Sequence, residues 1–245
     1  VNAYTITVTD TTDVSAAALN TLNGKTSVDI IATAVTSISG SAADVKTLYA
    51  SVDDFVDLGG EAVTLSGSTS VADANIVSAA TSGVVTATIS DGAMATLAGL
   101  RNEVNAYTIT VTDTTDVSAA ALNTLNGKTS VDIIATAVTS ISGSAAEVKT
   151  LYASVDDFKD LGGEAVTLTD ASVSVADANA VSAATSGVVT ATISEGAMAT
   201  LAGLSSDGQV NAYTITVTDT TDVSAAALNT LNGKTSVDII ATAVT

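Results

Sequence analysis

One stretch, VNAYTITVTDTTDVSAAALNTLNGKTSVDIIATAVT, occurs three times without a change, starting at Val1, Val104 and Val210. The spacings are 103 residues (104 − 1) and 106 residues (210 − 104). Self-similarity on this scale constrains the fold more than any single motif, because each copy must pack against neighbours of the same kind. The three extra residues of the second interval fall near Ala171 and Ser205, among Ser, Gly and Asp that a loop absorbs. The chain therefore reads as a single solenoid array over 1–245, with long repeats 1–103 and 104–209 and a partial repeat 210–245. The third copy stops at Thr245, the position matching Thr36 and Thr139, and the expectation is a piece of a much longer repeat protein.

A shorter motif recurs inside each long repeat: an alternating apolar–Thr/Ser run, a small or acidic turn, then an Ala-rich stretch closing near Leu. It appears as ITVTDTTDVSAAALNTL, TSISGSAADVKTLYA, VTLSGSTSVADANIV and TATISDGAMATLAGL. Anchors at Val8, Ile38, Leu65, Ile89 and Val111 give steps of 30, 27, 24 and 22 residues. Those lie close to the roughly 20–29 residues of repeats that pair one strand with one short helix. Tyr4, Ile6 and Val8 alternate with Thr5, Thr7 and Thr9, as do Val85, Ala87 and Ile89 with Thr86, Thr88 and Ser90, the period of a half-buried strand. Helix starts follow: Ser144 with Glu147 has capping-box spacing, Ser41/Asp44 and Ser70/Asp73 approximate it, and Thr12 or Asp13 can cap Ala16–Leu22. Gly24 sits where a helix C-terminus favours positive φ, and Lys25 beside it suits the helix dipole.

One strand and a two-turn helix bury too little to stand alone, so they must stack. The expected fold is an α/β repeat: a right-handed β-α solenoid with one long parallel sheet and short helices on one face. The stretch SVDIIATAVTSIS breaks the alternation and calls for a bulge or an extra strand, and Ser51 to Glu61 forms a longer acidic turn.

Composition narrows the function. The net charge of −19 repels nucleic acid and anionic lipid. The chain has no apolar run long enough to span a bilayer, so no membrane insertion is expected. With no His and no Cys, the usual zinc, iron and copper ligands and the thiol nucleophile are missing. Aromatics make up 3% of the chain and the acids recur with the repeat, which does not suit the single cleft of an enzyme.

Two chemistries stay open for the acids. Asp10 and Asp13 flank a turn repeated at Asp113/Asp116 and Asp219/Asp222, and Asp53, Asp54 and Asp57 recur as Asp156, Asp157 and Asp160. Carboxylates in turns either ligate calcium, the one cofactor the sequence suggests, or cap helices and solvate the surface. The exchanges Asp44/Glu147 and Asp91/Glu195 suit capping better than a tight cage. Thr5, Thr7, Thr9, Thr86 and Thr88 form rows that serve as an ordinary solvated strand face or as a face for a glycan, a protein or ice. Tyr4, Tyr49 and Phe55 read as packing at coil edges, with carbohydrate stacking as the alternative. Open sheet edges at both ends would favour end-to-end self-association.

The wording AYTITVTDTTDVSAAALNTLNGKTS, SGSAADVKTLYAS, LGGEAVTLS and GVVTATIS resembles the tandem repeats of giant bacterial surface or secreted proteins of the marine cyanobacterial type, over essentially the whole chain. The resemblance implies an extracellular or cell-surface location and a structural role as spacer or adhesive shaft, and carries over no catalytic residue; a glycan or cell-surface partner is an expectation for the threonine face. LGGEAV lacks the repeated Gly-x-Asp of calcium-roll toxins, so it does not imply folding of that kind.

Overall fold

The structure, a computed structural model, describes residues 1–205, 208–220 and 223–242. Asp222, the two residues after Ser205 and the end point Thr245 lie outside the described residues. The elements follow in the order β1 (Val14–Ser15), α1 (Ala16–Asn23), β2 (Ile30–Ile31), β3 (Ser37–Gly40), α2 (Ala42–Tyr49), β4 (Phe55–Val56), β5 (Ala62–Thr69), α3 (Val71–Ala80), β6 (Val85–Ile89), α4 (Met94–Leu97) and β7 (Ala106–Thr108). The second long repeat gives β8 (Val117–Ser118), α5 (Ala119–Asn126), β9 (Ile133–Ile134), β10 (Ser140–Gly143), α6 (Ala145–Ala153), β11 (Phe158–Lys159), β12 (Ala165–Leu168), α7 (Val175–Ser182), β13 (Val189–Thr192) and α8 (Met198–Leu201). The third copy adds β14 (Ala212–Thr214) and α9 (Ala225–Asn232). This is an α/β fold of parallel sheets and short helices.

Two compact units emerge: Val1–Val111 with Leu125–Ile134, and Thr112–Thr124 with the residues from Ala135 onward. Each holds a five-stranded parallel sheet, β1-β3-β5-β6-β7 in the first and β8-β10-β12-β13-β14 in the second. Strands β2 and β4 pair separately. The expectation of one sheet is corrected here, because the chain forms separate five-stranded and two-stranded parallel sheets. The SVDIIATAVTSIS stretch holds both β2 and β3, parted by a turn in which Val35 N–H donates to the Ala32 carbonyl at 2.9 Å. The extra strand is real.

Register also revises the anchors. Val14 pairs with Ile38, Ile38 with Val63, Val63 with Val85 and Thr86 with Ala106, so successive rungs lie 24, 25, 22 and 20 residues apart. Val8 sits off this ladder and bonds Ile31 instead. Val14, Ile38, Val63 and Val85 are all buried, one branched aliphatic per rung. At the roughly 4.8 Å spacing of neighbouring strands, such a column packs without gaps and needs no large aromatics. The second unit repeats it as Val117, Ile141, Val166 and Val189. Beneath the sheets, Leu19, Leu48, Val77 and Leu97 form the buried side of α1 to α4.

The YTITVT strand depends on what precedes it. Tyr107, Ile109 and Val111 are buried, as are Tyr213, Ile215 and Val217, and their Thr neighbours are half-buried or exposed. In the first copy Tyr4 is 54% exposed and only isolated bridges form, Asn2 to Thr26 and Thr7 to Ile31. Copies two and three pair with β6 and β13.

Glycine matters most at Gly83 and Gly187. A Cβ there would come within 2.2 Å of the Glu61 carbonyl oxygen and 2.1 Å of that of Glu164. Only a bare Cα lets neighbouring turns approach so closely. Gly24 departs from expectation: its φ is −67°, within the helical region. The left-handed conformation is adopted instead by Asp13, Asp57, Asp116 and Asp160, at φ of 57–63°. Asp takes that conformation more readily than most residues.

Candidate functional site: acidic turns and the outer sheet face

Helix N-termini leave backbone N–H groups without helical partners. In these units the N–H of the third helical residue is met by the serine just before the helix, and that of the first by a carboxylate 20 to 25 residues further on. Ser41, Ser70, Ser144 and Ser174 each accept the N–H of the residue three positions on, and Ser144 with Glu147 completes the expected capping box. Helix α1 is capped by Ser15, which accepts from Ala18, rather than by Thr12 or Asp13. Carboxylates 20 to 25 residues further on take the N–H groups at the helix start. Asp91 accepts from Val71 at 2.7 Å, Asp170 from Ala145 at 2.7 Å, Glu195 from Val175 at 3.1 Å and Asp219 from Met198 at 2.7 Å. The exchange of Asp91 for Glu195 keeps the cap despite one extra methylene.

The remaining acids are placed as follows. Asp10 and Asp13 are exposed, and Asp13 N–H donates to Ser37 Oγ at 2.7 Å. Asp116 repeats that bond with Ser140, while Asp113 is half-buried. Asp53 and Asp54 form a short 3-10 turn, and Asp156 and Asp157 its copy, all four exposed. Asp54 accepts the Asn23 amide at 2.9 Å. Asp57 and Asp160 take the positive φ that turns the chain toward the next strand. Among the described residues no three acids converge in a way that could hold a metal ion.

The turn from Ser51 to Glu61 closes around a carboxylate the sequence reading passed over. Glu61, 3% exposed, accepts Gly59 N–H at 2.8 Å and the Tyr49 hydroxyl at 3.4 Å. Thr81 Oγ1 donates to the Glu61 carbonyl at 2.7 Å. Glu164, Gly162, Tyr152 and Thr185 repeat the arrangement. Burial, with the carboxylate as a lesser cause, pushes the Tyr49 phenol up to about 12 and raises Tyr152 likewise. Tyr49 and Phe55 are buried and present no stacking surface to a sugar.

Cations and amides also bridge segments distant in sequence. Lys128 Nζ donates to the carbonyls of Ala98 at 2.8 Å and Leu100 at 2.5 Å, beyond the end of α4. Lys234 does the same at Ala202 and Leu204. Lys128 and Lys234, each following a helix-ending glycine, therefore serve a preceding helix and not their own. Lys46 pairs with Asp73, and Lys149 with Asp177 at 2.5 Å, which holds both carboxyls below their usual range. Asn105 and Asn211 are buried; each accepts a backbone N–H (Val85, Val189) and donates to a serine (Ser78, Ser182). A lone Asn in a Thr-rich strand carries no local sign of this role.

On the outer sheet face, register aligns Ser15 with Ser39, Ser39 with Thr64 and Thr64 with Thr86, and Thr88 with both Ser68 and Thr108. Thr108 is the copy of Thr5. Thr7 leaves the expected row and bridges Ile31. A groove of about 550 Å³ in the first unit runs past Gly83, Arg101, Glu103 and Asn105. Its charged groups answer each other. Arg101 bonds Glu103 at 2.6 Å, and Arg101 with Ser78 holds the Glu103 carboxyl down at about 2.

No family model, curated protein or solved structure matches the chain. No helix among the described residues is long and apolar enough to cross a membrane.

Proposed function

We propose that the chain is a β-α solenoid array that serves as a structural segment of a large extracellular or cell-surface protein, acting as a stiff spacer or adhesive shaft. One observation carries the reading: polar side chains are used to join coils. Asn20 donates to the Asp44 carbonyl, Asn75 to Gly99, Asn123 to Glu147 and Asn179 to Gly203, each bond spanning 24 residues. Carboxylate caps, lysine clasps and Lys–Asp pairs add bonds over 20 to 32 residues. Such nearest-neighbour bonding is what makes a stacked array resist bending and fraying. The same use of the acids as caps favours a role without catalysis. Location outside the cell rests on the resemblance of the repeat motifs.

Small-angle scattering tests the shape. A compact domain of this length has a radius of gyration of about 18 Å. An extended array gives a value well above that, with a rod-like cross-section; a value near the compact figure removes the spacer reading. A binding module is the second reading, favoured by the Ser39–Thr64–Thr86 hydroxyl row. Loss of glycan retention on replacing that row by alanine, with the fold intact, would support it.

A further inference from the structure

An aspartate followed by glycine is open to attack on its own side chain, because a residue with no Cβ leaves its backbone nitrogen unshielded. The chain holds two such pairs, Asp91–Gly92 and Asp207–Gly208, each preceded by serine. Where the first repeat has Asp91–Gly92, the second has Glu195–Gly196. We propose that Asp91–Gly92 is a site of spontaneous conversion of aspartate to isoaspartate, restrained by the bond that the Asp91 carboxylate accepts from Val71, and that conversion strips α3 of that bond. The Gly92 nitrogen bonds Asp91 Cγ, the bond from Cγ to the carboxyl hydroxyl breaks, and the hydroxyl leaves as water with the proton lost by the glycine. Water then opens the cyclic imide. Entry at Cγ restores aspartate; entry at the main-chain carbonyl of residue 91 gives isoaspartate, whose main chain runs through the former side chain.

Two bonds hold Asp91 against the start of α3. Ser90 N–H donates to the Thr69 carbonyl at 2.9 Å, and Asp91 Oδ2 accepts Val71 N–H at 2.7 Å, across 20 residues. Asp91 and Gly92 are both half-buried, so water reaches the pair. Cyclisation needs the carboxyl carbon set against the next nitrogen in a near-attack arrangement. While its carboxylate is tied to α3, the Asp91 side chain is not free to turn there. Glu195 accepts the matching N–H, from Val175 at 3.1 Å. Its cyclisation would need a six-membered ring with one more side-chain bond to freeze, so the second repeat keeps the cap without the site. In isoaspartate the free carboxylate stands one methylene closer to the main chain, and the Val71 N–H loses its acceptor. Val71 is also where the tie can be cut. It is the first residue of α3, and Ser70 before it has φ −68° and ψ 155°, the extended conformation of a residue that precedes proline. Proline is tolerated at the first helical position and has no N–H to donate.

The test is incubation of the full chain in mildly acidic buffer, folded and in denaturant, followed by tryptic mapping. Isoaspartate has the mass of aspartate, so it is located by electron-transfer fragment ions. Asp91 lies in peptide 47–101 and Asp207 in 160–234, each with a single Asp-Gly pair. The expected result is that Asp91 and Asp207 convert alike in denaturant, and that Asp91 converts several-fold more slowly in the folded parent. Val71→Pro should raise the folded rate at Asp91 several-fold. Val71→Ala, which trims the side chain and keeps the N–H, should leave it near that of the parent. Circular dichroism establishes that the variants are folded. Amide exchange at Val71 needs no variant, and it should be faster in the converted fraction of the parent than in the unconverted one. Equal rates at Asp91 in the folded and denatured parent, equal acceleration by Val71→Ala and Val71→Pro, no acceleration in a folded Val71→Pro chain, or unchanged exchange at Val71 after conversion would each overturn the proposal.

Discussion

Thr69 and Val173 occupy the same place in the two long repeats, opposite Ile89 and Ile193. Both are buried, at 2% and 4% exposure. Thr69 Oγ1 has no hydrogen-bond partner, and valine is the same shape without the hydroxyl. A buried hydroxyl left unpaired costs about 1–3 kcal/mol. Thr69→Val should therefore raise the denaturant midpoint, by about 1 kcal/mol in stability, and Val173→Thr should lower it by a similar amount. A Thr69→Val variant no more stable than the parent would show that the hydroxyl has found a partner in solution. The first repeat accommodates this residue with a slip in register between Thr64 and Ser68, where Gly67 takes a φ of +75°. The second repeat instead inserts Ala171 after Asp170.

At the scale of single elements, carboxylates held in their charged form decide the response to acid. Lys46 and Lys149 lower Asp73 and Asp177, Ser144 lowers Glu147 through its backbone N–H and hydroxyl, and Arg101 with Ser78 lowers Glu103. A carboxyl whose folded value lies below its unfolded one stabilises fully above the unfolded value, and that stabilisation is lost as pH falls through the folded value. The denaturant midpoint should stay level from neutral pH to about 5 and fall progressively below about 4. A midpoint unchanged down to pH of about 2 would mean that these carboxyls are not ionised partners in the fold. What was legible in the sequence is local. The alternation of Val85, Ala87 and Ile89 and the Ser-x-x-acid spacing each involve residues within a few positions, and both are found in β6 and at α2, α3, α6 and α7. The rung partner of Ile38 is Val14 rather than Val8, a choice settled by packing across 24 residues that no local period records. For the same reason Asp91 and Asp219 could be read as caps in general, but not as caps of Val71 and Met198.

Across the whole molecule, stability should rest on stacking and not on metal. Of the turn acids that invited a calcium reading, Asp54 accepts the Asn23 amide and Asp219 the Met198 N–H, and among the described residues no three acids converge. Thermal unfolding followed by circular dichroism should give the same curve in excess chelator and in millimolar calcium. A gain of many degrees with calcium would recast Asp10, Asp13, Asp53, Asp54 and Asp57 as ligands. The overall α/β class was legible because the repeat forces it, whereas the division into separate sheets was not, since β2 and β3 look like a single irregular stretch in the sequence.

The exposed apolar side chains of the first unit have a further meaning in terms of descent. Val56 and Ile76, 40% and 52% exposed, become Lys159 and Ala180 in the second repeat, while the buried valine and isoleucine columns are unchanged. Two copies of one ancestral segment thus preserve a short mutational record in a single chain. In that record exposed positions differ in polarity, whereas the buried exchange of Thr69 for Val173 keeps the shape of the side chain and the exchange of Asp91 for Glu195 keeps its charge.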